Sequence, residues 1–200
     1  MSAPDRMAPL PLTDAPQERG DAARNRLLLL EAARRLIAER GAGAVSTDAI
    51  AAAAGVGKGT LFRRFGSRAG LMMVLLDEDE KALQQAFLFG PPPLGPGAPP
   101  LDRLLAYGRA RHAFVHGHHA LLSDAGRDPQ TRFTGPFRLH HAHVRMLLQS
   151  ADTTGDLDAQ TSALTGLLEA DYIEHRLADG ATLDEVADAW EDVAVKLCGR

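Results

Sequence analysis

A single cysteine, Cys198, stands in the 200-residue chain, so no disulfide can close within it and a reducing compartment suits it. No apolar run approaches the roughly 20 residues that a bilayer-crossing helix needs. Nowhere do β-branched residues alternate with polar ones over the length of a strand, so the expected fold is all-α. The first twenty residues hold four prolines and several charges without an apolar stretch. They do not form a signal-peptide pattern, and residues 1–20 are expected to be a disordered arm. A cytoplasmic protein with no membrane partner is the expectation. There is also no HExxH and no cysteine near the histidines, so the ligand set and base that a metal hydrolase needs are missing; no catalytic residue, metal or cofactor is assigned.

What is present begins with charge. The chain carries a net −4. Residues 22–70 nevertheless hold nine Lys/Arg against three acids, a local +6 that leaves −10 for the rest. A basic N-terminal part on an acidic body is the asymmetry expected when one end docks on DNA.

The same basic part contains Ser46 to Arg68, STDAIAAAAGVGKGTLFRRFGSR, which has the pattern of two short helices joined by a glycine-bearing turn. Ser46 or Thr47 can cap the first helix, with Asp48 favoured by the helix dipole in its first turn. Ile50, Ala53 and Ala54 form an apolar stripe. Gly55 can stop the helix in the left-handed conformation, and Val56 can fill the corner. The second helix, Lys58 to Phe65, places Leu61 and Phe65 on one face and Lys58, Thr60, Arg63 and Arg64 on others, which suits a phosphate-lined groove. Upstream, a helix over 21–40 has Leu28, Ala32, Leu36 and Ile37 as its buried stripe and Arg24 and Arg26 at its start.

From Arg24 to Leu76, about a quarter of the chain, the sequence resembles the DNA-binding domain of TetR-family transcriptional regulators. It departs from the family at Gly57 (often Ser), Phe62 (Tyr), Arg63-Arg64 (His-His), Gly66 (Pro) and Arg68 (Lys). Phe62 lacks the hydroxyl that would bond a phosphate, and the two arginines can offset it. The resemblance implies a homodimer on a palindromic double-stranded DNA operator, released by a small-molecule effector. On this sequence, Thr47, Arg64 and Arg68 would hold phosphates. Gly59 would let the backbone approach the DNA, and Thr60 and Arg63 would read base edges. Lys58 and Phe62 share that helix, and Arg24 would reach the minor groove.

The expected organisation is an arm over 1–20, a three-helix DNA-binding domain over 21–67 and a helical effector-binding and dimerisation domain over 68–200. In the last, a helix over 68–89, capped by Ser67, carries Leu71, Val74, Leu75 and Leu83. Half of the twelve prolines fall in residues 90–100, which excludes a helix or central strand there and marks a stiff linker or excursion. Helices are expected over 101–125, 136–150 and 157–178, with a loop at 126–129 and a short segment over 130–134. A last helix starts at Thr182, where Thr182-x-x-Glu185 is a capping-box pattern.

Seven of the eight histidines lie between His112 and His143, interleaved with aromatics. Tyr107, Phe114, Phe133, Phe137 and Met146 are candidates for an effector cavity's apolar lining. Arg111, His112 and His140 would orient a polar group. His112 with His116, and His140 with His143, have spacings that could converge on a metal ion, though the histidines occupy several faces. Leu164, Leu168 and Tyr172, with Val186, Trp190 and Val193, form two apolar stripes suited to a symmetric four-helix interface or to the protein's own core. The alternatives to a ligand-responsive repressor are a constitutive DNA-binding regulator and, further off, a His-rich metal-dependent protein or metal sensor.

Overall fold

The computed structural model describes residues 15–125 and 135–199. The helices are α1 (Ala15–Arg40), α2 (Thr47–Ala54), α3 (Lys58–Phe65), α4 (Arg68–Phe89), α5 (Pro100–Ala125), α6 (Gly135–Ser150), α7 (Leu157–Gly166), α8 (Ala170–Ala178) and α9 (Leu183–Leu197), with a 3₁₀ turn at Ala42–Ala44. No strand occurs among the described residues, as the absence of alternation implied. Phe133, the loop at 126–129 and the segment over 130–134 lie outside the described residues. The chain divides into two compact units between Leu71 and Met72, inside α4 rather than at the proline-rich stretch.

In the first unit α1 begins at Ala15, six residues ahead of the expected start, so residues 15–20 are helix and Arg24 projects from a helix, not a flexible arm. Its buried face is Leu29, Leu30, Ala32, Ala33 and Leu36. These share the interior with Val45, Ile50, Ala51, Leu61, Phe65 and Leu71. Each large side chain so buried contributes about 1.5–3 kcal/mol. On α2 the buried pair is Ile50 and Ala51, while Ala53 is exposed. The buried stripe of α2, which packs against α1, thus runs through Ala51 and not the expected Ala53. Ser46, not Thr47, is the cap, its hydroxyl accepting from Ala49 N at 3.1 Å. Gly55 ends α2 at φ 65°, a conformation that costs glycine nothing.

In the second unit α5 is central and packs against α6, α8 and α9, while α7 packs on α6 and α9. The main core is Phe87, Leu104, Tyr107, Val144, Leu147, Leu148, Leu164, Leu168, Trp190 and Ala194. A smaller cluster holds Val115, Ala170, Ile173 and Val186. The proline-rich stretch is anchored rather than free: Gly95 N donates to Pro91 O at 2.9 Å, and Leu94 packs against the main core. Gly108 lets α5 and α9 approach closely, since a Cβ there would overlap the Trp190 ring.

Two expectations are corrected here. The single helix over 157–178 is two, α7 and α8, interrupted at residues 167–169. Thr161 and Thr165 hydroxyls donate back to the carbonyls of Leu157 and Thr161 at 2.7 and 2.8 Å, an arrangement that loosens helices. Glu169 is extended, with ψ 143°. The apolar stripes assigned to a dimer surface face inward: Leu164, Leu168, Val186 and Trp190 are all buried within the one chain. Tyr172 and Val193 stay half-exposed at the margins of the two core clusters. The last helix starts as its motif required, with both bonds of the Thr182–Glu185 capping box made.

Candidate nucleic-acid interface and buried polar cluster

α3 follows the N-cap Gly57, buries Leu61 and Phe65, and presents the rest. Thr60 is half-exposed, and Lys58, Gly59, Phe62, Arg63 and Arg64 are exposed. Arg63 donates to Thr60 Oγ1 at 3.2 Å, so the two residues assigned to base edges form one polar unit on the helix surface. Lys58 is ion-paired with Asp48 of α2 at 2.6 Å and lies 6.0 Å from the Phe62 ring. Around Gly59 a Cβ would meet open space, so close approach there is governed from outside the protein. Thr47 is half-buried in the first turn of α2.

Arg68 departs from its assignment. Its guanidinium donates to Val45 O at 2.9 Å and also to Ala42 O, tying the start of α4 to the turn before α2. Nε and Nη2 therefore serve carbonyls of the protein itself, while the residue stays exposed. Two helix starts are fixed as capped ends, by Ser46 at α2 and by Ser67, whose Oγ accepts from Gly70 N at 3.0 Å.

The second cluster lies in the body. Tyr107 is fully buried, and its hydroxyl is 2.9 Å from His140 Nδ1; His140 Nε2 is 2.6 Å from Glu80 Oε1. Arg111 Nη1 donates to Glu80 Oε2 at 3.0 Å, and Gln84 donates to Oε1 at 2.7 Å. Burial alone would raise the Glu80 carboxyl. The hydrogen bond from His140, the charge of Arg111 and the Gln84 bond outweigh it and hold the group at about 2. Burial likewise lowers His140 despite the pull of Glu80. A neutral His140 fits every contact: Tyr107 O–H donates to Nδ1, and Nε2–H donates to an ionised Glu80 that Arg111 neutralises. Burial pushes the Tyr107 phenol well above its ordinary range, so it remains a donor.

Against this chain pack Phe87, whose ring centroid is 4.4 Å from that of His143 and 5.5 Å from that of Tyr107. His143 is buried, and neither ring nitrogen has a hydrogen-bond partner among the described residues. Burial, then the charge of Arg103, lower it to about 4, so its imidazole is neutral. His112 donates from Nδ1 to Gly108 O at 2.7 Å and faces Trp190 edge-on, with Nε2 unsatisfied.

The structure thus joins Tyr107, Arg111 and His140 through Glu80, and sets His112 nearby against Trp190. Of the other described candidates only Phe114 touches the cluster, through Arg111. Phe114 stacks on His118 and takes Arg111 over its ring. Phe137 pairs with His141, and Met146 is 39% exposed. His140 is committed to Glu80 and Tyr107, and His112 is buried while His116 is exposed, so neither histidine pair converges on a metal. Glu80 and Phe87 were missed. Glu80 sits in an acidic run, Asp77 to Glu80, that has the pattern of a solvated surface. The signal that could have found it is position: Leu76, Glu80, Leu83 and Phe87 recur at three- and four-residue steps, on one face of α4.

The geometry defines a helix-turn-helix DNA-binding head on a helical body. Residues 29–73 match the family model described as bacterial regulatory proteins, tetR family. Across 88% of this chain and 97% of the other, the protein is 25% identical to a TetR-like transcriptional regulator from Rhodococcus sp. RHA1, with a TM-score of 0.57. A transcriptional regulator from Saccharomonospora viridis in complex with choline is 20% identical over 86% of this chain and 95% of its own, TM-score 0.65. RolR in complex with resorcinol is 19% identical over 89% of each chain, TM-score 0.57. No curated protein sequence matches. The N-terminal domain is therefore that of the TetR family of bacterial regulatory proteins, and the chain as a whole carries the TetR-family fold. No described helix is long and apolar enough to cross a membrane.

Proposed function

We propose that the protein is a ligand-responsive transcriptional repressor that binds a palindromic operator as a homodimer and leaves it when a small molecule enters the body. The observation that carries this reading is α3, anchored by Leu61 and Phe65 and presenting Thr60, Arg63 and Arg64 outward within the segment matched to the family. Arg64 and Thr47 hold phosphates, and the Thr60–Arg63 unit reads base edges in the major groove. Two such helices read successive major grooves only about 34 Å apart, which calls for a dimer. Its surface lies on the outward side of the C-terminal helices, with Tyr172 and Val193 at its edge.

The effector acts at the cluster around Tyr107 and His140. Its unsatisfied nitrogens on His143 and His112 offer hydrogen bonds to a small polar ligand beside the Phe87 and Tyr107 rings. Glu80 belongs to α4, so a ligand that rearranges its partners displaces the helix that begins at Arg68. This works to the extent that the ligand binds the two positions of α4 with different affinity. Choline and resorcinol in two relatives of this fold suit an effector of that size.

A second reading, a regulator without an effector, draws on the mutual satisfaction of Tyr107, His140, Glu80 and Arg111. Selection of DNA sites from a random pool, repeated with a library of small molecules, separates the two. An enriched palindrome lost on adding one compound supports the repressor; one that no compound affects supports the second reading; no enrichment at low salt removes both.

A further inference from the structure

The interruption at residues 167–169 sets α8 against α5, and there a second constellation forms, apart from the buried cluster. His116 and His119 stand three residues apart on α5, neighbours on one helix surface. Glu174 of α8 meets both: its Oε1 lies 3.2 Å from His116 Nδ1 and 3.7 Å from His119 Nδ1. The imidazole rings stack with centroids 6.0 Å apart. One donor atom from each of the three residues lies within 4.8 Å of the other two.

The side chains are 45%, 46% and 31% exposed, so a hydrated ion can reach them without opening the fold. His119 Nδ1 donates to His116 O at 2.9 Å, which leaves its Nε2 for an ion; elsewhere His118 bridges Phe114 O and Asp79, and His140 lies between Tyr107 and Glu80.

We propose that His116, His119 and Glu174 form a divalent-metal site that fastens α8 to α5 and takes a borderline transition ion such as Zn²⁺, Ni²⁺ or Cu²⁺. Two imidazoles and one carboxylate select such ions over Mg²⁺ or Ca²⁺, which prefer oxygen alone. Small rotations at the exposed surface bring one nitrogen of each ring and a Glu174 oxygen to the roughly 2.0–2.2 Å that Zn²⁺ requires, and water completes the shell. Two donors come from one rigid helix and the third from another, so the ion acts as a cross-link. Its binding stabilises the folded body by mass action, because the unfolded chain does not hold the three donors together. The proposal does not depend on the DNA-reading role.

The test uses the untagged full chain, freed of metal by chelator and then given Zn²⁺ or Cu²⁺ alone. Zn²⁺ is expected to raise the unfolding temperature at micromolar concentration. His119→Ala and Glu174→Gln each weaken Zn²⁺ binding at least tenfold, whereas His175→Ala, an exposed histidine outside the cluster, leaves it unchanged. Electron paramagnetic resonance of the one-equivalent Cu²⁺ complex shows two nitrogen ligands in the wild type and one in His116→Ala. Metal-free unfolding temperatures of the variants, close to wild type, show that they fold. The proposal is overturned by Zn²⁺ affinity unchanged in the folded variants, by two nitrogens retained in His116→Ala, or by wild-type binding that needs millimolar metal.

Discussion

Trp190 Nε1 donates a 2.9 Å hydrogen bond to the main-chain carbonyl of Leu164. In an uninterrupted helix that carbonyl would accept from Leu168 N, which here bonds Thr165 O instead, at 3.1 Å. The indole of α9 thus satisfies a buried acceptor that the end of α7 releases, and the same ring fills the space above Gly108.

Trp190→Phe keeps a ring but strands the Leu164 carbonyl. It should destabilise the body by about 1–3 kcal/mol, the cost of an unsatisfied buried acceptor. Gly108→Ala should cost a similar amount by overpacking. Urea unfolding followed by tryptophan fluorescence for the second variant, and by circular dichroism for both, measures this. A change below 0.5 kcal/mol, on the order of a surface substitution, would remove the indole bond and the close approach from the account.

Arg111→Met leaves the ionised Glu80 with less compensation and should destabilise the protein by about 3–5 kcal/mol. The double variant Arg111→Met with Glu80→Leu should recover much of the loss, since an apolar replacement of a buried ion pair is often neutral. Non-additivity in the four-variant cycle is the quantity to read.

Acid should weaken the fold in two stages. His143 is depressed to about 4, so the unfolded chain takes up its proton first and stability falls as pH drops from about 6.5 towards 4. Glu80 is depressed to about 2, so its contribution, complete above about 4.5, is lost as pH falls from there towards 2. His143→Phe should lessen the upper stage, to which the depressed His112 and His140 also contribute, and leave the lower one. Denaturant unfolding at pH 7, 5, 4 and 3 checks the sign: stability that rises between pH 7 and 5 would contradict the His143 assignment, and stability that rises between pH 4 and 3 the Glu80 assignment.

On DNA, Arg64→Ala should weaken binding to all sequences and reduce the slope of log K against log salt by about 1. Thr60→Ala or Arg63→Ala should relax preference at particular bases by roughly 1–3 kcal/mol. Arg68→Ala should chiefly lower the stability of the head, because its guanidinium holds the Val45 and Ala42 carbonyls. Titrations on operator and random DNA at several salt concentrations separate these effects. Equal losses for Arg63→Ala on both DNAs would count against base reading.

The sequence was informative wherever a local motif carries its own chemistry. Gly55, the Lys58–Phe65 and Arg68–Phe89 helices and the Thr182–Glu185 box are where their patterns placed them. It was silent where partners are distant in sequence. An apolar stripe does not say whether it packs inward, and Leu164 and Trp190 went to the core because the two find each other, 26 residues apart. Glu80 was hidden by its charged neighbours, since its partner His140 lies 60 residues on. The interruption after Gly166 was hidden because Leu167 and Leu168 continue the apolar rhythm.

That interruption separates the rotational settings of two helices. A residue added within 167–169, where the chain is not helical, can be absorbed without turning α8 by the roughly 100° that one residue adds inside a helix. In an unbroken helix the same insertion would carry every later side chain around with it. The joint therefore lets each helix keep its own buried face: Leu164 of α7 goes to the main core and Ile173 of α8 to the smaller cluster, two orientations that one continuous helix would have to meet with a single setting.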